Sequence, residues 1–408
     1  MKSKTIIITT LILISMSCQK KDDIADLNGI QNYKVFGDEL KCKPIQQNNT
    51  FIFAVMIDSA YYITKIDEYG QKTTLFALKD FFPPNYIDQS MKNLSVFNGT
   101  ESKFFAVFTY NGYAENDTLV YINVIQYDIS GFMMNNSICT LQSYNSTQNE
   151  YFKVISNQSN ELIVMSSSTT TPTNPPTSKH KFLYFDNTGK FKNSYDIQNF
   201  TEQNIMEAGV NENGNIYVFT ISGISPGGGG GGIILKKMYI FDNQANIVNT
   251  VTLNTKVENV QNILVEPDRI LMTGTKAQIQ TSDDTYVSVI DMNGGILWET
   301  TFTSSLSVFN ILKTSNGYLF LGTPLNANIR TDWTNFYNFD TNNYLFWHTM
   351  NTDNFAIIDS PYDLRGEFSS VGVCCFVTNN NELCILGIKK SFNSLNNIVY
   401  LKTTKGIY

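Results

Sequence analysis

The chain has 408 residues and a formal net charge of −7 at pH 7, and only 16% of its residues are charged. Nucleic acid and anionic lipid both require a basic surface, so the acidic balance excludes them as principal partners. Aromatic residues are frequent at 13%, and helical periodicity is nearly absent. This composition is typical of strands and turns.

The N-terminus has the pattern of a processing signal. Two lysines precede the apolar segment 5–15, which is too short to span a bilayer as a helix. The small residues before Cys18 resemble a lipobox, although Ser15 stands at the position of the usual leucine. The resemblance predicts a signal peptide over residues 1–17 and a lipid group, palmitate included, on Cys18. An ordinary secretory signal with a chance cysteine is the alternative.

Charged residues follow directly after Cys18, in the order Gln19, Lys20, Lys21, Asp22 and Asp23. A lysine with acidic residues close behind it resembles the surface-export signal of Bacteroidota lipoproteins. The resemblance implies a protein anchored in the outer membrane and exposed to the medium, with residues 18–31 as a flexible tether. A plain solvated tether is the alternative. No later segment is apolar over the roughly 18 residues that a spanning helix needs, so lipid is the predicted anchor.

The cysteines leave two possibilities open. Besides Cys18 the chain has Cys42, Cys139, Cys374, Cys375 and Cys384, so at least one of these thiols has no partner within the chain. Either Cys42 forms a bridge to the C-terminal group, or all five are small buried apolar residues. Only two histidines exist, His180 and His348, and neither lies near a cysteine motif, so we predict no metal site and no cofactor.

A turn pattern, apolar-Asp-x-x-Gly, recurs about 50 to 60 residues apart, which is the length of a propeller blade. Aspartate at the first position accepts hydrogen bonds from backbone amides two residues on, and glycine at the fourth tolerates positive φ. Copies begin at Asp67, Asp128, Asp186, Asp242, Asp291 and Asp340, with a decayed seventh over 401–406. Ala245 and Asn343 replace the glycine in two copies, and the turn with Ala245 is expected to differ.

A second kind of hairpin lies between successive copies, with two apolar runs around a turn rich in Asn, Ser or Gly. Together the two hairpins make seven units of four strands, at roughly 43–77, 94–141, 152–200, 205–254, 260–303, 309–350 and 372–408. They predict an all-β fold, a seven-bladed β-propeller of four-stranded antiparallel blades over residues 32–408. Segment 32–36 could supply the strand that the last unit lacks. A row of β-sandwich domains is the rival fold.

Two copies extend the turn pattern by a tryptophan. Asp291 to Trp298 reads D-x-x-G-x-x-x-W, and Asp340 to Trp347 keeps the spacing with Asn343 for glycine. This resembles the repeat of quinoprotein-like (PQQ-type) propellers, in which the tryptophan docks one blade on its neighbour. The other copies depart from the pattern at that position. The family includes enzymes and envelope assembly scaffolds, so the resemblance implies a fold rather than one function.

The long connections are expected at one face of the propeller, at 78–93, 110–118, 167–180, 222–233, 323–334 and 351–371. An aromatic and arginine rim there suits recognition of a glycan or peptide, and the ligand-binding candidates are Arg330, Asp332, Trp333, Tyr362 and Arg365. The alternative is that these side chains only pack the loops onto the blades.

The sequence offers little support for catalysis, since it has no HExxH pattern and only two histidines. We therefore predict a lipid-anchored, non-enzymatic binding module for a glycan, peptide or protein partner. One alternative is an envelope assembly scaffold on the periplasmic side. Another is a carbohydrate-active enzyme with a pair of carboxylates in the central channel.

Overall fold

The structure, a computed structural model, describes residues 30–78, 92–100, 102–114, 117–141, 151–157, 159–170, 177–202, 204–224, 233–257, 259–275, 285–301, 306–314, 317–324, 346–351, 370–390 and 396–406. Within these ranges the chain forms β-strands and turns and contains no α-helix. No helix in the described part of the chain is long and apolar enough to cross a membrane.

The pairing of the strands divides them into seven successive units. The first three units are β2 (Ile45–Gln47), β3 (Thr50–Ile57), β4 (Ala60–Asp67) and β5 (Lys72–Ala77); β6 (Lys92–Asn98), β7 (Lys103–Ala114), β8 (Asp117–Asp128) and β9 (Met133–Leu141); and β10 (Tyr151–Ser156), β11 (Leu162–Thr170), β12 (Thr177–Phe185) and β13 (Phe191–Asp196). Each is an antiparallel sheet in chain order.

The last four units follow the same plan. They are β14 (Ile205–Val210), β15 (Ile216–Ile224), β16 (Ile233–Phe241) and β17 (Ile247–Thr252); β18 (Asn259–Val265), β19 (Arg269–Thr275), β20 (Thr285–Asp291) and β21 (Ile296–Thr301); β22 (Leu306–Lys313), β23 (Gly317–Pro324) and β24 (Phe346–Asn351); and β25 (Ser370–Val377), β26 (Glu382–Lys390) and β27 (Asn396–Gly406), completed by β1 (Ile30–Leu40).

The first strands of the units contact one another in cyclic order. Strand β6 contacts β2 and β10, β14 contacts β10 and β18, β22 contacts β18 and β25, and β25 contacts β2. Sheets arranged radially in this way around a common axis form a β-propeller. We call the end that carries the turns within each hairpin the turn end, and the opposite end the loop end.

The ring is closed by the N-terminal strand, as the segment 32–36 predicted. Strand β1 pairs antiparallel with β27 from Ile30↔Thr403 to Glu39↔Asn397, and thus forms the outermost strand of the last unit. The same strand continues into the first unit, where Leu40 pairs with Val55. The two ends of the chain therefore hold one sheet together.

The hydrophobic core is divided among the interfaces between neighbouring units. One cluster joins Phe105 and Val124 of the second unit to Leu183 of the third, and another joins Leu271 of the fifth to Phe320 of the sixth. All five described cysteines are free, and Cys42, Cys374, Cys375 and Cys384 are buried. Of the two possibilities for the cysteines, the structure shows free thiols, and Cys42 forms no disulfide with the C-terminal group.

The predicted turn chemistry is confirmed between the third and fourth strands. Oδ1 of Asp67 accepts the amides of Tyr69 and Gln71 at 3.0 and 2.8 Å. The carboxylates of four later copies accept backbone amides in the same way, namely Asp128, Asp186, Asp242 and Asp291. Each turn therefore satisfies its own backbone donors with its own side chain.

These turns also dock each unit on the unit before it. A Cβ at Gly294 would lie 2.5 Å from Cγ1 of Val251 in the preceding unit, and one at Gly70 would lie 2.7 Å from Cδ1 of Tyr400. The Tyr400 hydroxyl donates to the carbonyl of Glu68 at 2.6 Å. Two separate features therefore favour glycine at these positions: the positive φ of the turn and the close approach of the neighbouring unit.

The expectation that the turn with Ala245 would differ is wrong. Ala245 adopts a φ of 65°, and Oδ1 of Asp242 accepts the amides of Gln244 and Asn246 at 2.8 and 2.9 Å. The methyl group lies in the cluster between the third and fourth units, where it is buried. Burial of the methyl group offsets part of the cost of this conformation in a residue with a Cβ.

The sixth and seventh copies of the turn are predicted wrongly. Strand β24 pairs with β23 from Gly322↔Phe346 to Gly317↔Asn351, so it is the third strand of its unit and Trp347 lies on that strand. The prediction that Asp340 begins the turn after the third strand is therefore wrong, because the third strand comes later in the chain; Asp340 itself lies outside the described residues. Residues 401–406 belong to strand β27.

Two of the predicted loops are largely strand. The pairing of β7 with β8 continues to Ala114↔Asp117, and that of β11 with β12 to Thr170↔Thr177, across most of segments 110–118 and 167–180. The rings of Tyr110 and Tyr121 stack at 5.2 Å on adjacent strands. Such a cross-strand aromatic pair stabilises the longer ladder, although its residues look like loop in composition.

Candidate functional site

The site residues predicted from the sequence lie outside the described residues. This holds for Cys18, for Gln19 to Asp23, and for the rim candidates Arg330, Asp332, Trp333, Tyr362 and Arg365. Their roles therefore stay predictions. The described strands nevertheless place the ends of the segments that carry them, since β23 ends and β25 begins at the loop end.

The centre of the propeller carries a set of equivalent positions, one in each unit. Equivalent pairs lie beside the turn between first and second strands, namely Gln46↔Phe51, Asn98↔Phe104, Ser156↔Leu162, Val210↔Ile216, Val265↔Ile270, Lys313↔Tyr318 and Val377↔Leu383. In the first unit one further pair, Gln47↔Thr50, lies nearer the turn. Three residues before each pair lie Lys43, Ser95, Lys153, Glu207, Asn262, Asn310 and Cys374. We call these seven residues the channel ring.

The backbone is irregular at this level. The pairing of first and second strands shifts by one or more residues immediately before Ser95, Glu207, Asn262, Asn310 and Cys374. In the first unit the strand is interrupted between Leu40 and Ile45, around Lys43. Bulges turn a side chain away from the direction that the ladder would give it, so these units can place a polar group near the axis. The third unit carries Lys153 on a regular ladder.

The ring residues contact one another around and across the opening. Lys153 forms an ion pair with Glu207 of the next unit. The amide of Asn262 donates to the carbonyl of Val308, and Nδ2 of Asn310 lies 4.0 Å from Sγ of Cys374, again one unit further on. Nζ of Lys43 donates to Oδ1 of Asn262 at 3.3 Å. The first and fifth units are not neighbours, so this last bond spans the axis.

Two protonation tendencies define the electrostatics of the ring. Desolvation lowers the pKa of Lys43, and the nearby Lys153 ammonium lowers it further. Burial raises the pKa of the Cys374 thiol to about 12, so it stays neutral at pH 7. The ring thus contains two lysines and one carboxylate, Glu207, which is already paired with Lys153.

A buried Ser–His pair lies between the third and fourth units. The Ser167 hydroxyl and Nδ1 of His180 share a hydrogen bond of 2.5 Å, and the Phe200 ring packs edge-on against the imidazole at 4.6 Å. Burial lowers the pKa of His180 to about 4. The Ser167 hydroxyl is too deeply buried to contact a substrate, so we assign the pair a structural role in the core.

A second buried polar cluster lies at the turn end between the fifth and sixth units. The Glu266 carboxylate is 5% exposed and accepts the Tyr318 hydroxyl and the Lys313 ammonium. Arg269 approaches the same carboxylate at 3.4 Å. The cluster joins the two units, because Glu266 lies in one and Lys313 and Tyr318 lie in the other. The carboxylate is engaged by these partners and is therefore not a candidate for acid–base catalysis.

The channel ring escaped the sequence analysis because its members share neither a residue type nor a motif. Their common feature is a fixed position before the turn between the first and second strands. The recurring aspartate pattern marks the other turn, between the third and fourth strands. Aligning the units on the pairs near the first turn brings the seven polar residues into one column. In the described part of the chain, no group of three or more His, Cys, Asp and Glu side chains could hold a metal ion.

Comparison with known proteins identifies no family. No protein-family model matches the chain, and no curated protein matches it. Solved structures are similar in fold. The phage phi92 endosialidase aligns with a TM-score of 0.47 at 10% identity over 93% of this chain and 70% of its own. The Synechocystis apocarotenoid oxygenase aligns with a TM-score of 0.48 at 8% identity, over 80% and 72%.

The β-propeller domain of the trilobed protease from Pyrococcus furiosus aligns with a TM-score of 0.47 at 10% identity, over 91% of this chain and 97% of that one. At such identities the likeness concerns the fold alone. The antiparallel sheets and the cyclic contacts of their first strands show that the chain is an all-β protein with the β-propeller architecture.

Proposed function

We propose that the chain is a lipid-anchored surface protein that binds a glycan, peptide or protein partner through the loop end of its propeller, without catalysing a reaction. The observation that carries the proposal is the direction of β1. Ile30 pairs with Thr403 at the turn end, where Asn32 and Lys34 donate to the carbonyl of Tyr69. An anchor at Cys18 would thus connect to the turn end, which supports a loop end directed away from the membrane.

The chemistry of the two ends supports the same assignment. At the turn end the aspartates and carbonyls of the described turns are engaged in their own bonds or in docking the neighbouring unit, as at Asp128 and Asn187. The long connections emerge at the loop end, where loops on a rigid scaffold are free to carry recognition residues. In the channel ring the one carboxylate is ion-paired, which does not favour the carboxylate-pair hydrolase.

The first experiment tests the orientation. A cleavage site for a sequence-specific protease is inserted within 225–232, a connection at the loop end, and intact cells are treated with the protease. Cleavage on intact cells, with a periplasmic control protein left whole, is the expected result. Protection until lysis would contradict surface exposure and favour the periplasmic scaffold. The same site inserted between 24 and 29 reports whether the tether itself is reached.

The second experiment tests the rim. Partners are captured from the medium and from a glycan array, and binding is measured for Trp333→Ala and Arg330→Ala. We expect at least a tenfold loss of affinity, since aromatic and arginine side chains dominate such interfaces. Phe132→Ala is the matched control, because Phe132 is 68% exposed at the turn end. Equal binding by the rim variants and the control would place recognition elsewhere.

A further inference from the structure

The channel ring has an unbalanced charge. It contains the ammonium groups of Lys43 and Lys153 and the carboxylate of Glu207. Glu207 is occupied, because it pairs with Lys153 and also accepts the amide of Ala208 at 3.1 Å. Ser95, Asn262, Asn310 and the thiol of Cys374 are neutral. The two ammonium groups therefore share one carboxylate, and protonation of Lys43 leaves the ring with one positive charge in excess.

The neighbours of Lys43 hold it in place without neutralising it. Its ammonium group has three donors, and Oδ1 of Asn262 accepts one of them at 3.3 Å. The amide nitrogen of Asn262 donates to Val308, which keeps the oxygen turned toward Lys43. Desolvation and the Lys153 ammonium lower the pKa of Lys43, whereas the Glu207 carboxylate acts in the opposite direction. A nearby anion would relieve this cost.

The charge balance selects the kind of anion. A dianion would exceed the single excess charge and would meet the Glu207 carboxylate. A metal cation would be repelled by both lysines. A monovalent carboxylate carries one charge and acceptor oxygens that match ammonium and hydroxyl donors. We propose that the channel ring binds a single carboxylate group, held by Lys43 with Lys153 beside it. The proposal is independent of the binding assigned to the loop end.

The carboxylate has two possible sources, a small free acid or an acidic sugar. The test measures the thermal unfolding midpoint of the full chain at constant ionic strength, with acetate, galacturonate and, as the neutral control, galactose. We expect a saturable rise with carboxylates and none with galactose. A response to galacturonate at tenfold lower concentration than to acetate would identify an acidic sugar. Similar responses would identify a small acid, and no saturable response to either would overturn the proposal.

Variants assign the response to the ring. Lys43→Met should weaken the apparent affinity for acetate at least tenfold, whereas Lys190→Met, which removes an exposed lysine at the turn end, should leave it unchanged. Equal weakening by both variants would mean a general charge effect and would overturn the proposal, as would an unchanged response in Lys43→Met.

Glu207→Gln provides a test that does not depend on the folding of the Lys43 variant. Removing this carboxylate raises the excess charge of the ring, so acetate should bind several-fold more tightly than in the wild type. A structural role of the ion pair alone predicts a lower unfolding midpoint without tighter acetate binding. That result, or weaker binding of acetate, would overturn the proposal.

Discussion

The buried histidine illustrates how a single residue can set the response of the protein to pH. His180 is 3% exposed, and burial lowers its pKa to about 4 although the Glu202 carboxylate opposes the shift. Nε2 has no hydrogen-bond partner among the described residues. An unfolded histidine has a pKa of about 6.5, so between these two values the unfolded chain binds more protons than the folded chain.

The free energy of unfolding should therefore fall as the pH is lowered from about 6.5 to about 4, with a contribution from His180 of about 3 kcal/mol. Urea unfolding of wild type and His180→Asn at pH 7 and pH 4.5 measures this contribution. The variant should lose less stability between the two pH values than the wild type does. Equal losses would mean that His180 is not the group that titrates.

At the scale of elements, the glycine of a turn between third and fourth strands can pack against the preceding unit, whereas Gly214, in a turn between first and second strands, does not. Gly294 and Gly214 both have positive φ, at 84° and 81°. A Cβ at Gly294 would collide with Val251 of the preceding unit, while one at Gly214 would meet no atom within 4 Å. Substituting the two glycines therefore distinguishes the cost of backbone strain, which both share, from the cost of contact with the neighbouring unit, which only Gly294 has.

Gly214→Ala should lower the free energy of unfolding by about 1 kcal/mol, from the strain of a left-handed alanine. Gly294→Ala should lower it by about 3 kcal/mol, because the contact with Val251 adds overpacking. Chemical denaturation of both variants gives the difference. If Gly294→Ala cost no more than Gly214→Ala, the turn would not be docked as described.

The same distinction explains which elements the sequence could predict. Local turn chemistry located five outer turns and hence most of the units, since aspartate and glycine act within four residues. It failed at Asp340, where the same letters occur but the pairing of Gly317 with Asn351 puts the third strand later. The channel ring was missed because it depends on bulges and on contacts between distant units. The prediction for the rim at Arg330 and Trp333 stays a prediction.

At the scale of the whole molecule, closure depends on β1. A chain that starts at residue 30 should unfold cooperatively, with the midpoint of the full chain. A chain that starts at residue 41 lacks the partner of β27 and should lose stability on the order of the whole free energy of unfolding. Thermal unfolding and size-exclusion chromatography compare the two chains. A monomeric, cooperatively folded shorter chain would contradict the closing role of β1.

The pairing of β1 with β27 also determines when the propeller can close during synthesis of the chain. The partner of β1 is β27, which follows it by six complete units, so until β27 has been synthesised β1 and the neighbouring face of the first unit remain unpaired edges. Such non-local pairing makes folding slow and exposes the chain to aggregation. The complete ring can therefore form only after β27 has been made, and the nascent chain needs protection until that moment.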